Sequence, residues 1–217
     1  ASYGTVMYVV KSILPFGLSA IYPFPALPIR LGAEFYLSFA AIAVGVPLLI
    51  LRFRRNRAVL FGAAFFILNI ALVLQFFNFG TEMMADRYTY LPYIGLFFAL
   101  SAWLDERSGA VANSNLAGTL VSGGLMLLVP ICAVQTWKRC DVWQNSGTLW
   151  DDTIRKYPHR VVDAYNLRGH YYHHTLGRRE DALADYSEAL SLNPGNAHAW
   201  NNKGTLLAEM GQADSAL

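Results

Sequence analysis

The first half of the chain consists of long uncharged stretches separated by short charged clusters. Between Phe35 and Trp137, charged residues occur only at 52–57, 82–87 and 105–107. Each uncharged stretch is long enough to cross a bilayer as a helix, which takes roughly 17–25 apolar residues. The pattern therefore predicts a multi-pass membrane domain over residues 1–137. Its complete spans are Phe35–Leu51, Ala58–Phe79, Tyr88–Leu104 and Leu116–Trp137.

The chain before Phe35 has a different pattern. Four prolines between residues 15 and 28 exclude a straight spanning helix, because proline removes a helix hydrogen bond. We interpret Tyr3–Leu14 as the end of a truncated helix and Pro15–Arg30 as irregular backbone at the membrane interface. Lys11 is expected to extend towards lipid head groups. The chain begins without methionine and ends inside a helical pattern, so we expect it to be a piece of a longer protein.

Loop charge predicts the orientation in the membrane. The sequence RFRRNR at 52–57 places four arginines in six residues between the first two complete spans, which is typical of a cytoplasmic loop. Counting spans from there puts residues 80–87 and everything after Trp137 on the non-cytoplasmic side, although Lys138 and Arg139 run against the charge rule. In a bacterium, that side is the periplasm or the extracellular space; in a eukaryote, it is the lumen of the endoplasmic reticulum.

The pattern changes after Lys138 to that of a soluble helical repeat. Four small residues recur 34 or 35 positions later: Ala164, Gly169, Gly177 and Ala182 return as Ala199, Gly204, Gly211 and Ala216. A period of 34 residues with small residues where two helices touch resembles the tetratricopeptide repeat. We assign a repeat to 163–196, a truncated repeat to 197–217 and a degenerate half-repeat to 146–158. Ala189 and Pro194 complete the set of residues expected to shape the repeats.

The predicted fold class is therefore all-α, with polytopic transmembrane helices followed by a tetratricopeptide-repeat solenoid over 138–217. Trp137, Trp143 and Trp150 are expected to seat the solenoid on the membrane surface, where indoles are enriched. The composition agrees with a membrane protein: 54% of the residues are hydrophobic and only 15% are charged, against about 25% in soluble domains. A net charge of +2 argues against nucleic-acid binding, which needs a concentrated basic face.

Candidate chemistry in the soluble half is weak. His170, His173 and His174 share one helix face and could hold a metal, but no carboxylate or cysteine completes the set, so we expect no metal site. We interpret Asp151 and Asp152 as helix-terminal charge. Cys132 and Cys140 fit neither a disulfide framework nor a metal knuckle. Without a phosphate-binding glycine loop or a nucleophile motif, this segment has no catalytic centre of its own.

The sequence EMMADRYTYLPYIGL at 82–96 is the strongest candidate for a site. It places Glu82, Asp86 and Arg87 beside three tyrosines at the outer mouth of a predicted span. One interpretation is anchoring, with an aromatic belt and a snorkelling arginine. The other is a lipid-phosphate site, because an arginine surrounded by phenol donors suits a phosphate. The residues alone leave both open.

Two blocks of this chain resemble one known family. They are KSILPFGLSAIYPFP at 11–25 and EMMADRYTYLPYIGLF at 82–97, followed by the spans and repeats. They are similar to C-type multi-pass glycosyltransferases with C-terminal tetratricopeptide repeats, whose eukaryotic members are transmembrane-and-tetratricopeptide O-mannosyltransferases. The form ADRY resembles the bacterial type, whereas eukaryotic members have a form of the AERV type.

The resemblance implies transfer of a sugar, with mannose expected, from a polyprenyl- or dolichyl-phosphate donor to protein hydroxyls outside the cytoplasm. It implies a catalytic acidic residue upstream of this segment, so no catalytic residue is assigned here. By hypothesis Arg87, with Tyr88 and Lys11, binds the donor phosphate, and Asp86 and Glu82 orient Arg87. No cofactor is expected in this segment. The repeats would engage the acceptor or a partner protein.

Two other functions fit the same residues. A membrane-anchored repeat scaffold would perform no chemistry and would organise protein complexes. A transferase acting on an envelope polysaccharide or lipid would use the repeats to recruit partners. An acidic residue in an early outer loop of the full gene product would favour either enzyme over the scaffold.

Overall fold

The computed structural model describes residues 1–24, 32–74, 82–111 and 115–212. The chain divides into two compact units. Unit 1 contains Ala1–Leu18 and Phe24–Thr136, and unit 2 contains Ser19–Pro23 and Trp137–Leu217. A short stretch of the N-terminal region thus belongs to the same unit as the predicted repeats.

Helices account for nearly all of the described secondary structure. In chain order the elements are α1 Ser2–Ile13, β1 Tyr22–Pro23, α2 Ala33–Phe53, α3 Arg57–Val73, β2 Glu82–Met84, a 3-10 turn Asp86–Thr89, α4 Tyr90–Val111, α5 Asn115–Val142, α6 Ser146–Lys156, α7 Val162–His174, α8 Arg179–Leu192 and α9 Ala197–Glu209. The prediction of an all-helical chain is confirmed.

Among the described residues, one helix is both long and apolar enough to cross a membrane. This helix is α2, and the shorter α3 is also apolar. The third predicted span begins in the 3-10 turn and continues in α4, and the fourth lies within α5. The end of the second predicted span, from residue 75, lies outside the described residues. The multi-pass topology and its sidedness remain predictions.

Helices α3 and α4 pack closely through two glycines. A Cβ atom built on Gly62 would lie 2.6 Å from the carbonyl oxygen of Gly95, and one on Gly95 would lie 2.7 Å from the carbonyl oxygen of Gly62. Small residues of this kind let apolar helices approach each other in a membrane. Phe61 and Phe98 meet edge to face beside this crossing, with ring centroids 5.9 Å apart.

The helices of unit 2 form a stack in which α7 packs against both α6 and α8, and α9 packs against α8 and α7. Gly177 makes the turn between α7 and α8 with φ of +64°, a conformation that favours glycine. Tyr165 of α7, Leu190 of α8 and Ala199 of α9 lie in one buried core.

Residues Ser19–Tyr22 are buried and belong to unit 2, a packing that the sequence did not predict. Their place at a membrane interface remains a prediction. Ile21 is 3% exposed and lies in the same core as Tyr165 and Leu190. The ring of Tyr22 meets that of Tyr157 at 6.0 Å between centroids. The proline pattern indicated irregular backbone but not its partner.

One smaller prediction in unit 2 is wrong. Asp151 and Asp152 lie in the middle of α6 rather than at its end, and both form ion pairs. Their partners, Arg168 and Arg139, lie on other helices, so the sequence alone did not show what the two carboxylates contact.

The three tryptophans expected to seat the solenoid on the membrane differ in exposure. Trp150 packs against the repeat core, whereas Trp137 and Trp143 are exposed. Their seating on a membrane surface remains a prediction.

Candidate functional site

The backbone immediately before Asp86 is held by one buried tyrosine. The Ala85 amide donates a hydrogen bond to the Tyr8 hydroxyl oxygen at 3.0 Å, and the Tyr8 hydroxyl donates to the Ala85 carbonyl at 3.1 Å. Tyr8 is 1% exposed and Ala85 is 0% exposed. Since a buried amide and a buried carbonyl both need partners, the phenol of α1 satisfies both polar groups of one residue.

Further hydrogen bonds extend this link into α4. The Tyr93 hydroxyl donates to the Tyr8 carbonyl at 2.8 Å, so α1 and α4 are joined through Tyr8. The Tyr88 amide donates to the Ala85 carbonyl at 3.1 Å, and Thr89 Oγ1 donates to the Asp86 carbonyl at 2.7 Å. The turn that carries Asp86 and Arg87 is therefore fixed on both sides.

Arg87 lies exposed on this turn and contacts the next residue. Its Nη2 donates to the Tyr88 hydroxyl at 3.3 Å, and its guanidinium carbon lies 5.1 Å from the centre of the Tyr88 ring. The structure thus brings Arg87 and Tyr88 together. Asp86 is half-buried, and the Glu82 backbone lies in β2. The Glu82 side chain lies outside the described residues, so orientation of Arg87 by the two carboxylates remains a prediction.

Lys11 stabilises the turn that follows α1. Its Nζ donates to the carbonyl of Phe16 at 3.1 Å and to that of Gly17 at 3.3 Å. Gly17 has φ of +61°, which suits glycine. Lys11 also follows Tyr8 by three residues, a spacing that places both on one face of α1. Its predicted roles in head-group contact and phosphate binding remain predictions.

A partly buried arginine joins three helices of unit 2. Arg168 of α7 donates to Asp185 of α8 through Nε at 2.8 Å and Nη2 at 2.6 Å. Its Nη1 donates to Asp151 of α6 at 2.6 Å. The guanidinium also lies 5.7 Å from the ring centres of Tyr165 and Tyr172. Such a bidentate pair fixes orientation as well as charge.

The electrostatics of unit 2 follow from these pairs. The hydrogen bonds that Arg168 donates to Asp185 hold the pKa of Arg168 above its usual value, despite burial. Burial acts to raise the pKa of Asp152, but hydrogen bonds from Lys156 and Arg139 outweigh it and hold the pKa of that carboxyl below its usual value. Both networks are therefore charged at neutral pH.

Two polar contacts link α7 to α9. Asn202 Nδ2 donates to Asn166 Oδ1 at 2.9 Å, and His173 Nε2 lies 2.9 Å from Glu209 Oε2.

The three histidines of α7 lie close together. The rings of His173 and His174 stack 4.0 Å apart. Burial, together with His174 and His173, lowers the pKa of His170. Within the described part of the chain, no three or more potential ligands are placed to hold a metal ion.

The residues expected to shape the repeats occupy contacts and turns. A Cβ atom on Gly169 would lie 2.8 Å from the Tyr186 ring, and Ala182 and Ala189 are fully buried. Gly211 follows α9 with φ of +77°. Pro194 follows α8, and its carbonyl accepts a hydrogen bond from Trp200 at 2.8 Å. Gly204 lies within α9, and Ala216 lies outside the described residues.

Comparison with known families identifies the repeats. Models of the tetratricopeptide repeat match residues 162–196 and 185–217. Residues 162–217 contain tetratricopeptide repeats. The prediction of tetratricopeptide repeats in this part of the chain is thus confirmed, whereas the half-repeat at 146–158 remains a prediction. Such repeats generally mediate contacts between proteins.

Two curated proteins are similar to a larger part of the chain. Both carry the name Protein O-mannosyl-transferase TMTC1. The one from Mus musculus is 28% identical over 138 residues, which cover 64% of this chain and 14% of the relative. The one from Homo sapiens is 30% identical over 145 residues, which cover 64% of this chain and 15% of the relative. The chain spans about a seventh of the length of these relatives.

Sequence reasoning missed three of the residues that build these sites. A signal for Arg168 was present, since Tyr165 and Tyr172 stand three residues before and four after it on the tetratricopeptide helix α7. Tyr8 gave no signal, because a single tyrosine in an apolar helix is ordinary. Ile21 gave none either, since its core partners lie beyond residue 160.

Proposed function

We propose that this chain is part of a membrane glycosyltransferase that moves a sugar from a polyprenyl- or dolichyl-phosphate donor to protein hydroxyls. The sugar we propose is mannose. The similarity to two proteins named protein O-mannosyl-transferase supports it. That similarity covers 64% of the chain, whereas the repeat models cover only 162–217. It therefore includes part of the apolar half, where repeats alone would give no match.

In this proposal Arg87 binds the phosphate of the lipid donor. The acceptor hydroxyl oxygen attacks the anomeric carbon of the sugar, the bond from that carbon to the phosphate oxygen breaks, and lipid phosphate leaves with the electron pair. A base upstream of this segment takes the hydroxyl proton. A fixed cation lowers the barrier because negative charge develops on the leaving phosphate. Arg87 is exposed and supported by Tyr88, which is compatible with this role.

The tetratricopeptide repeats, in the same proposal, engage the acceptor or a partner protein on the non-cytoplasmic side of the membrane. Repeat stacks present extended surfaces suited to protein segments. This arrangement would bring the hydroxyl-bearing protein to the membrane where the lipid donor resides. No cofactor is needed beyond the lipid-linked sugar.

The deciding experiment measures sugar transfer from labelled polyprenyl-phosphate mannose into protein, in membranes containing the full-length protein or its Arg87→Ala variant. We expect transfer to fall by about 100-fold, the scale for losing a group that stabilises transition-state charge. Arg55→Ala, which removes another exposed arginine, should leave transfer unchanged.

Each outcome separates the candidate functions. Equal transfer by the wild type and Arg87→Ala would support the transferase function but not phosphate binding by Arg87. Arg87 would then be a membrane anchor. No transfer of mannose, glucose or N-acetylglucosamine by the wild type, in membranes where a known transferase works, would favour the scaffold. The repeats at 162–217 are what a scaffold would use, so this outcome has a structural basis.

A further inference from the structure

We propose that Tyr8 is a positioning residue that sets the donor-binding segment Asp86–Tyr88; this inference rests on the proposed function. The observation that carries it is the pair of hydrogen bonds between the Tyr8 hydroxyl and both backbone groups of Ala85. Ala85 is the residue from which the 3-10 turn Asp86–Thr89 starts.

The backbone of Ala85 depends on this phenol. Ala85 is completely buried, so water cannot replace a lost partner. Its amide is bonded to Tyr8 Oη, and removal of that oxygen would leave a buried donor unsatisfied. Its carbonyl would keep the Tyr88 amide at 3.1 Å. The segment then lowers its free energy by moving the Ala85 amide towards a new partner, which displaces the turn.

The position of Arg87 depends in turn on Ala85. Arg87 is exposed, and its side chain has four rotatable bonds, so its guanidinium reaches a fixed point only if the backbone beneath it is fixed. The hydrogen bond from Arg87 to the Tyr88 hydroxyl lies within the same turn and would move with it. Tyr8 is different because it belongs to α1 and is itself held from α4, through the hydrogen bond from Tyr93 to its carbonyl.

This arrangement makes a specific kinetic prediction. A displaced turn weakens the contact with the donor phosphate but leaves acceptor binding unaffected. We expect Tyr8→Phe to raise KM for the polyprenyl-phosphate sugar about tenfold, the factor that corresponds to one net hydrogen bond of about 1.4 kcal/mol. KM for the acceptor should not change.

The substitution isolates the hydroxyl group. Phenylalanine keeps the ring of Tyr8 and so its buried packing, and only the two hydrogen bonds to Ala85 are lost. Tyr3→Phe is the matched control, because Tyr3 lies on the same helix and contacts Phe35 by ring stacking at 4.6 Å, which a phenylalanine retains. Tyr3→Phe should leave both KM values unchanged.

The experiment combines kinetics with hydrogen exchange on the full-length protein. We expect Tyr8→Phe to accelerate amide exchange at residues 84–90 and to raise KM for the donor alone, while Tyr3→Phe does neither. A fall in kcat with both KM values unchanged would overturn the inference, since it would mean that less of the protein is folded. Unchanged exchange at 84–90 would overturn it as well.

Failure of the proposed function would be distinguishable. If the wild type transfers no sugar, the proposed function fails, and retention of a photoreactive polyprenyl phosphate by wild type and variant tests the positioning role instead. Weaker retention by Tyr8→Phe, with faster exchange at 84–90, would support it. Equal retention would overturn it.

Discussion

Arg168 links α6, α7 and α8 through its ion pairs with Asp151 and Asp185. Its side chain is 19% exposed and that of Asp185 is 7% exposed, whereas that of Asp151 is 46% exposed. A buried pair of this kind contributes little relative to an apolar replacement, but removing one partner leaves the other charge buried. The ion pair with Asp185 is therefore expected to matter more for stability than the ion pair with Asp151.

We expect Arg168→Ala to lower the free energy of opening of α7 and α8 by about 3–5 kcal/mol, because Asp185 is left charged and buried. Asp151→Asn, which removes the exposed partner, should cost no more than about 1 kcal/mol. Amide exchange of α7 and α8 measures both values. Equal costs for the two variants would contradict the asymmetry.

Asp152 makes unit 2 sensitive to acid. Its folded-state pKa lies below the usual value, because the hydrogen bonds from Lys156 and Arg139 outweigh burial. Its contribution to stability is therefore fully present above the unfolded pKa of about 3.9 and is lost as the pH falls through the lower folded pKa. We expect Asp152→Asn to destabilise α6 at pH 6, and the difference from the wild type to shrink as the pH falls below about 3.9, as measured by amide exchange. A difference that stays constant over this range would refute this.

At the residue scale, the sequence indicated Arg87 as a candidate because charges are rare between the apolar stretches. It did not identify Tyr8, since the hydrogen bonds of Tyr8 are made with a residue 77 positions away. Arg168 was missed for a different reason. Its neighbours Asp151 and Asp185 lie on other helices, and only the three-dimensional packing makes the pair.

At the scale of elements, the crossing of α3 and α4 depends on two glycines. We expect Gly62→Ala and Gly95→Ala each to destabilise unit 1, because the new methyl group would lie within 3 Å of the facing backbone and would force the helices apart by overpacking, at a cost of about 1–3 kcal/mol. The thermal midpoint of the purified protein in detergent measures the effect.

Gly45→Ala is the control for this pair. Gly45 lies in α2, with open space where a Cβ would be. Alanine is a better helix former than glycine by about 1 kcal/mol, so this variant should be neutral or slightly more stable. A loss of stability equal to that of Gly62→Ala would contradict the assignment of the cost to the α3–α4 crossing.

The starts of the apolar helices followed from the sequence. The charge clusters placed the starts of α2, α3 and α4 within two residues, but α4 ends seven residues after the predicted end at Leu104. The small-residue period indicated the region of α7, α8 and α9. What the pattern could not supply was the partner of an irregular segment. Ser19–Pro23 lacks a period, so the sequence indicated its conformation but not its burial in unit 2.

At the scale of the whole molecule, unit 2 is built from two distant parts of the chain. We expect Ile21→Ala to reduce the protection of α7 and α8 amides from exchange, by about 2–5 kcal/mol for a core isoleucine, although Ile21 precedes these helices by more than 140 residues. Ile13→Ala is the control, since Ile13 is 64% exposed. Unchanged protection in Ile21→Ala would mean that Ile21 contacts the core without stabilising α7 and α8.

The burial of Ile21 also constrains the order in which the two units can fold during synthesis. Leu190, which belongs to the same core, is synthesised 169 residues after Ile21. At roughly 5–20 residues per second, the ribosome takes roughly 10–30 s to cover that distance. During this interval Ser19–Pro23 is complete and its core does not yet exist. The earlier helices must therefore fold without using this segment, so that it is still available when α7 and α8 emerge.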